Sequence, residues 1–532
     1  MQIRYLDQPD LPPLAWLAIA SVPEQRVSVL KGRNVETGDG FFVDGVWDGE
    51  FAAGAFDETD IFFGSGMRVR GEKLIFLPSS STVDALHYRY SDGTLIVSNS
   101  LPFLLAACGD RLDPQCRDYP RINESIAEGI IRVERDIPTL RGGVRRAIYY
   151  NLVLSADGLA EVEKPMPPAF PDFRTYRDYL KTGLHRLLDN AMSPDRRTPL
   201  GVLSSQSRGY DSTAINALLP PDQVDAVFTI PLARTEGRYS QRESDQAESD
   251  SGEDICRQLG LPCRFIDSFH IEDKPDAELL CFAGEHRGGD ANLVDVFERA
   301  GRPSVFLTGA HGGGVWAIDP TEYSKEPDVN TDLVRKDTSL SGLTEMRLDS
   351  SVIQIAVPFM GARAQPEIAA ISNSEEMDPW RLNVPYDRPI PRRIAEEAGV
   401  DRKAFGQKKR ATAIVYTQPE VPKSPVLRAN YFRYLREKGF ASALTLALMP
   451  LWIWINSIIR YHSPRRYRAL YYFERLVVRL TGRPYRIPYL LRRLNGSLFC
   501  YCVNLRADHY ARLVESSGFL EMAETGGASD SR

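Results

Sequence analysis

The hydrophobic pattern of this chain changes character near residue 170. The part before it is β-rich, with an Asp92-Gly93 pair of the kind that turns one strand back on the next. After it, Tyr176, Leu180, Leu184, Leu187 and Leu188 recur at helical spacing, which predicts a helix over residues 176–192 with one buried stripe. Short apolar runs then alternate with helix-like stretches. Residues 200–203, 224–230, 262–266 and 304–307 read as buried strands, the second of them rich in β-branched residues. Ser251-Gly252-Glu253-Asp254 is an N-cap-like opening to a helix that carries Ile255 and Leu259 on one face and closes at Gly260. Helices are also predicted over 343–348 and, after a Pro-rich start, over 392–398 before Gly399. Strands that alternate with helices in this way predict an α/β half built on a parallel sheet.

The first of these strands leads into Ser207-Arg208-Gly209-Tyr210-Asp211-Ser212, and a helix-like stretch runs from there to Leu219-Pro220. A tight turn of small residues at a helix N-terminus aims backbone N–H groups and the positive end of the helix dipole at one spot. That suits a phosphate or pyrophosphate. The Ser207 and Ser212 hydroxyls can add contacts, and Asp211 can hold a magnesium ion against the same phosphates.

This run resembles the Ser-Gly-Gly-x-Asp-Ser pyrophosphate loop of the asparagine synthetase-like ATP pyrophosphatases. Thr308-Gly309-Ala310-His311-Gly312-Gly313-Gly314 resembles that family's second phosphate-side loop and adds Gly309 to the nucleotide-binding set. Residues 86–90 and 94–105 look like the paired strands and following helix of the family's glutamine-hydrolysing domain. The resemblance covers residues 40–415 and implies two parts: an N-terminal Ntn-hydrolase-like β-sandwich (α+β), then a parallel-sheet α/β ATP pyrophosphatase domain of the PP-loop type. It also implies ATP and Mg2+ as cofactors, a small-molecule or peptide carboxylate as substrate, and adenylation of that carboxylate before an amine attacks it. A lysine late in the domain stabilises such a step in the family. Phe405-Gly406-Gln407-Lys408-Lys409-Arg410-Ala411 matches its placement, so Lys408 or Lys409 is the candidate, with a basic surface loop as the plain alternative. Glu345 is a candidate to pair with that lysine or to orient the amine, against the plain reading of an exposed helical glutamate.

The chain departs from the family at several positions. Arg208 replaces a loop glycine, and Gly313 stands where a magnesium-sharing acid aligns; Asp319 lies a few residues on as a substitute. His311 reads as a loop residue before it reads as a catalyst. Residues 356–361 resemble the segment ending Pro-Phe-Leu-Asp but lack its flanking Arg and acid, which argues against aspartate as substrate. Gln2 stands where the family's glutaminase has its nucleophilic cysteine, and a carboxamide cannot form the thioester. The resemblance then implies an ATP-dependent ligase that uses ammonia or another amine, without glutamine. A non-catalytic or regulatory scaffold that keeps the fold is the rival, and ammonia-dependent asparagine synthesis is a third reading.

Composition adds boundaries. A chain of 532 residues with 43% hydrophobic content supports two or three domains. Seven cysteines without a CxxC pair fit reduced thiols, and the first residues lack a signal peptide's apolar core, so a cytoplasmic location is expected. Prolines 165, 167, 168 and 171 mark a linker at 164–173, between a first domain at 1–163 and a second at 174–424. The acidic run Glu243, Asp245, Glu248, Asp250 reads as a solvated lead-in to a helix. Residues 425–512 carry 16 Lys/Arg against three Asp/Glu, a net +13 that leaves the rest of the chain at −19. Within that region residues 440–459 contain no charge. Three readings stand for this basic helical extension (425–515): packing on the core, attachment to an anionic membrane surface as a peripheral protein, or docking of an acidic partner. No motif supports nucleic acid. Residues 516–532 are expected to be a disordered tail, and a homodimer is left open.

Overall fold

The computed structural model describes residues 2–21, 24, 26–235, 248–266, 270–319, 331–335, 337–384, 386–407, 410–411, 421–451, 476, 479–480, 494 and 496–524. The first half is built on two mainly antiparallel sheets. The strands are β1 (Gln2–Asp7), β2 (Trp16–Ser21), β3 (Arg26–Lys31), β4 (Glu36–Gly38), β5 (Phe41–Trp47), β6 (Phe62–Arg70), β7 (Lys73–Leu77), β8 (Leu86–Ser91), β9 (Thr94–Ser98), β10 (Asp136–Ile137), β11 (Val144–Ala147), β12 (Asn151–Ser155) and β13 (Gly158–Val162). One sheet runs β1-β3-β2-β9-β8-β11-β10, with β1 parallel to β3, and the other runs β13-β12-β7-β6-β5-β4. Trp16, Ala18, Val27 and Val97 from the first meet Phe42, Met67, Phe76 and Leu152 from the second in a shared core. The alternation that set these residues inward is the ordinary signature of a two-sheet sandwich. Asp92 and Gly93 both take positive φ (50° and 74°) and close the β8–β9 hairpin as expected. Three short helices follow within this half, α1 (Leu101–Ala107), α2 (Tyr119–Glu124) and α3 (Gly129–Arg132).

The second half opens with α4 (Phe173–Ala191), whose N-cap Asp172 accepts from the Thr175 N–H at 2.7 Å. Its stripe of Tyr176, Leu180, Leu184, Leu187 and Leu188 is fully buried. A five-stranded sheet follows, from β14 (Gly201–Ser205), β15 (Ala226–Thr229), β18 (Cys263–Phe265), β19 (Ser304–Thr308) and β20 (Val352–Ala356). All of its pairings are parallel, in the order β18-β15-β14-β19-β20. A small antiparallel sheet joins β16 (Leu232–Thr235), β17 (Glu248–Ser249) and β21 (Arg410–Ala411). The helices are α5 (Tyr210–Leu218), α6 (Glu253–Leu259), α7 (Pro275–Gly284), α8 (Val294–Glu298), α9 (Gly312–Val315), α10 (Thr344–Ser350), α11 (Gln365–Ser372) and α12 (Pro389–Glu397). Gly260 ends α6 in the left-handed conformation (φ 69°), the stop its position in the sequence predicts.

The two halves share one continuous apolar core. A charged contact also crosses the junction. Arg347 on α10, 1% exposed, donates to Asp84 at 2.8 Å and to Asp44 at 2.9 Å, both inside the sandwich half. Asp44 in turn accepts from Trp16 Nε1 at 3.1 Å and from Ser65 and Asn99. Burial raises the Asp44 pKa while the Arg347 charge pulls it back, and the two carboxylates hold Arg347 protonated.

The C-terminal region contributes α13 (Pro425–Glu437), α14 (Ala443–Ala447), α15 (Ser497–Ser517) and α16 (Phe519–Glu524). The last two correct the expectation of disorder from residue 516. Ser516-Ser517-Gly518 is the end of α15, closed by Gly518 at φ 65°, and Phe519 behind it is fully buried. Arg26 on β3 donates to the Ala523 carbonyl, so this segment returns to the first sheet. Residues 525–532 lie outside the described set. Helix α15 covers the outer side of the same sheet's helical layer: the Tyr510 ring stacks on Phe103 of α1 at 4.5 Å and 7°. All seven cysteines are free thiols. Among the described residues no helix is long and apolar enough to cross a membrane.

Candidate functional site

Strand β14 is central because the chain moves from it to β15 on one side and reaches β19 on the other. In an open parallel sheet the loops leaving such a pair of strands diverge, and the crevice at their carboxyl ends is where ligands bind. The loop after β14 is Gln206 to Gly209, and the loop after β19 is Gly309 to His311. The structure brings these two together. A Cβ on Gly309 would stand 2.7 Å from the Asp211 Cβ and 2.8 Å from the Ser212 nitrogen, and one on Gly312 would stand 2.8 Å from Asp211 Oδ1. Only glycine lets the second loop approach this closely.

Local hydrogen bonds fix the first loop. The Ser207 and Ser212 hydroxyls are 3.0 Å apart; the Ser207 N–H donates to Ser212 Oγ and the Gly209 N–H to Ser207 Oγ, both at 3.1 Å. Beneath them Gln206 Nε2 donates to Thr213 Oγ1 at 2.9 Å, and Asn216 Nδ2 donates to Gln206 Oε1 at 2.7 Å. Tyr210 is buried under the loop, edge-on to Tyr386 (4.9 Å) and Phe405 (5.9 Å), with the Arg392 guanidinium 4.9 Å over its ring. Burial raises the Tyr210 pKa, which keeps it a neutral packing residue. Its role is to seat the loop.

Arg208 does not crowd the crevice. Its guanidinium turns away and donates from Nε to the Ala404 carbonyl at 3.1 Å, while its backbone N–H donates to Asp250 Oδ1 at 3.1 Å. Asp250 thus corrects the reading of a solvated acidic run: it is 5% exposed and sits at the helix N-terminus, where an anion is favoured. Neither Asp250 nor Gln206 was legible as part of the site. The signal available for Asp250 was its spacing of one residue before the predicted N-cap stretch.

The other candidates divide. Gly406, at φ 66°, donates from its N–H to the Arg208 carbonyl at 2.8 Å and packs flat against the Tyr210 ring. The segment that leads to Lys408 and Lys409 therefore starts on the loop, but both lysines lie outside the described residues. His311 takes φ 71° and stacks on Phe359 at 4.7 Å. Burial and nearby Arg335 push its pKa down to about 3, so it is neutral at physiological pH. Gly313 falls inside α9, and Asp319 is exposed beyond it. Glu345 is not exposed: it is 2% exposed and accepts from Ser100 Oγ at 2.7 Å and Tyr510 Oη at 3.4 Å, with Arg506 at 3.8 Å. It belongs to the packing of α10 against α1 and α15.

The donor set suits magnesium in one way. Among the described residues no group of three or more His, Cys, Asp or Glu side chains could hold a metal, and Asp211 is the carboxylate the two loops enclose. A magnesium ion held by Asp211 would draw its other ligands from phosphate and water, which it accepts. Compared with models of known protein families the chain matches none, and no curated protein matches it.

Proposed function

We propose that the chain is an asparagine synthetase-like ligase, a PP-loop enzyme that binds ATP with Mg2+, adenylates a carboxylate and joins it to ammonia or an amine. The observation that carries this reading is the closure of Gly309 and Gly312 on Asp211 at the carboxyl ends of β14 and β19. In the proposed reaction the carboxylate oxygen attacks the α-phosphorus and pyrophosphate leaves. The amine then attacks the acyl carbon, the bond to AMP breaks with its electron pair, and the amine's proton passes to solvent or base. Ser207, Gly209 and Ser212 cradle the pyrophosphate, Asp211 binds the ion that neutralises it, and the helix α5 dipole adds to that charge stabilisation. Bound magnesium would supply Lewis-acid charge neutralisation at the phosphates.

A second reading is favoured by a specific contact. The Arg208 N–H, one of the donors a pyrophosphate would use, is already engaged by the Asp250 carboxylate. A scaffold that keeps the fold but not turnover would retain such an internal anion in place of a ligand. Thermal unfolding with and without ATP and Mg2+, for the wild type beside Asp211→Ala, separates the two. Ligand at about a hundredfold over its dissociation constant adds roughly 2.7 kcal/mol. A magnesium-dependent rise that Asp211→Ala abolishes supports the ligase, and no rise at millimolar ATP leaves the scaffold.

A further inference from the structure

Helix α14 is apolar on both sides. Leu446 and Met449 turn inward, and Met449 is fully buried in the core. The outward side is formed by Leu444 and by Leu448 at the helix C-cap, exposed at 69% and 38%, with Leu451 exposed at 47% just beyond. A spacing of four residues places Leu444 and Leu448 on one face. A helix lying on a core against water carries polar residues on its outer face, whereas a helix apolar all round has an apolar partner on each side. The core is the first partner. The second partner is absent from the chain's described contacts, and between residues 440 and 459 there is no charge to solvate that face.

Charge identifies the second partner. Arg433, Arg436 and Lys438 are exposed on the C-terminal part of α13 and just beyond it, with the exposed Glu437 among them, immediately before the apolar helix. The whole stretch 425–512 carries a net +13 on a chain whose remainder is −19. A second copy of this chain would bring its own Arg433, Arg436 and Lys438 against these, which repels. A surface that is apolar at shallow depth and negative at its face satisfies both features. We propose that the outward face of α14 docks on an anionic phospholipid bilayer, with the leucines in the acyl boundary and the neighbouring arginines and lysines at the headgroups. The mode is peripheral, consistent with the absence of a membrane-crossing helix among the described residues. This proposal is independent of the ligase reading.

The test is flotation of the full chain with vesicles of phosphatidylcholine alone and with phosphatidylserine added, at low and high salt. The expected result is binding to the phosphatidylserine vesicles, reduced by salt. Leu444→Glu and Leu448→Glu, both solvent-facing and so compatible with folding, should weaken binding by about tenfold each. A matched melting temperature confirms that these variants are folded. Failure of the wild type to float with anionic vesicles overturns the proposal, as does unchanged binding by the folded double variant. A dimer in solution that the same double variant dissolves also overturns it, because the face then belongs to a second copy.

Discussion

Replacing Arg347 by Met tests the junction between the two halves most directly. The guanidinium is 1% exposed and is the cation that meets both Asp44 and Asp84, which are 0% and 4% exposed at the side chain. Removing one partner of a buried charge group costs more than the pair contributes, because the remaining charge is left without water or a counter-ion. The expected loss is about 3–5 kcal/mol. Its pH dependence has a definite sign. Burial already raises the Asp44 pKa, and without Arg347 only the hydrogen bonds from Ser65 and Trp16 oppose that rise. A carboxyl with a raised folded-state pKa costs the fold progressively more as pH rises from its unfolded-state pKa to that raised value, and no more above it. The gap between wild type and variant therefore widens as pH rises above the ordinary carboxylate range and then levels off. Urea unfolding followed by tryptophan fluorescence reads it, since Trp16 donates to Asp44 and reports the site itself. Adding Asp44→Asn and Asp84→Asn to Arg347→Met should recover part of the loss. A loss below about 1 kcal/mol, or one independent of pH, would refute the argument, since both are what a solvated surface pair gives.

Three further outcomes follow from the same coordinates. Gly309→Ala drives a Cβ to within 2.8 Å of the first turn of α5 and should cost about 1–3 kcal/mol, with loss of any nucleotide-dependent rise in melting temperature. Lys164 is buried with only the Asn151 amide oxygen, at 2.7 Å, as acceptor, and burial pushes its pKa down to about 7. Its burial penalty is therefore full below about pH 7 and fades as pH rises toward the free-lysine value, so Lys164→Met should stabilise the chain at pH 7 and lose that advantage near pH 10, as urea midpoints at the two values will show. Tyr510→Phe keeps the stack on Phe103 but removes the donor to Glu345, for an expected loss of about 1 kcal/mol in the same assay.

How much of this was legible depended on distance along the chain. The β14–α5 junction was readable because strand, small-residue turn and helix start lie within a dozen residues, and each has its own local chemistry. The β8–β9 hairpin was readable from Asp92-Gly93 alone. Asp250 was misread because its neighbours are acidic and the loop it serves is 42 residues away. Arg347 and its two aspartates are separated by 263 and 303 residues, beyond the reach of any periodicity argument. Glu345 read more readily as an exposed helical glutamate than as a catalyst, and its burial was illegible because its partners, Ser100 and Tyr510, lie 245 and 165 residues away. The end of α15 was lost because a Ser-Ser-Gly run was read as the start of a tail, where Gly518 is a helix stop and the apolar Phe519 begins another contact.

The stacking of Tyr510 on Phe103 has a consequence for how the chain is made. The apolar side of α1 leaves the ribosome early, whereas the residues of α15 that cover it follow about 400 positions later. At synthesis rates of roughly 5–20 residues per second the gap is on the order of 20–80 s. Throughout that interval the sandwich half can pair its strands but cannot seal its helical layer, so the nascent chain presents Phe103 and its neighbours to solvent. Anything that stalls translation between residues 107 and 497 leaves that surface bare, a natural handle for chaperones that bind unfinished polypeptides.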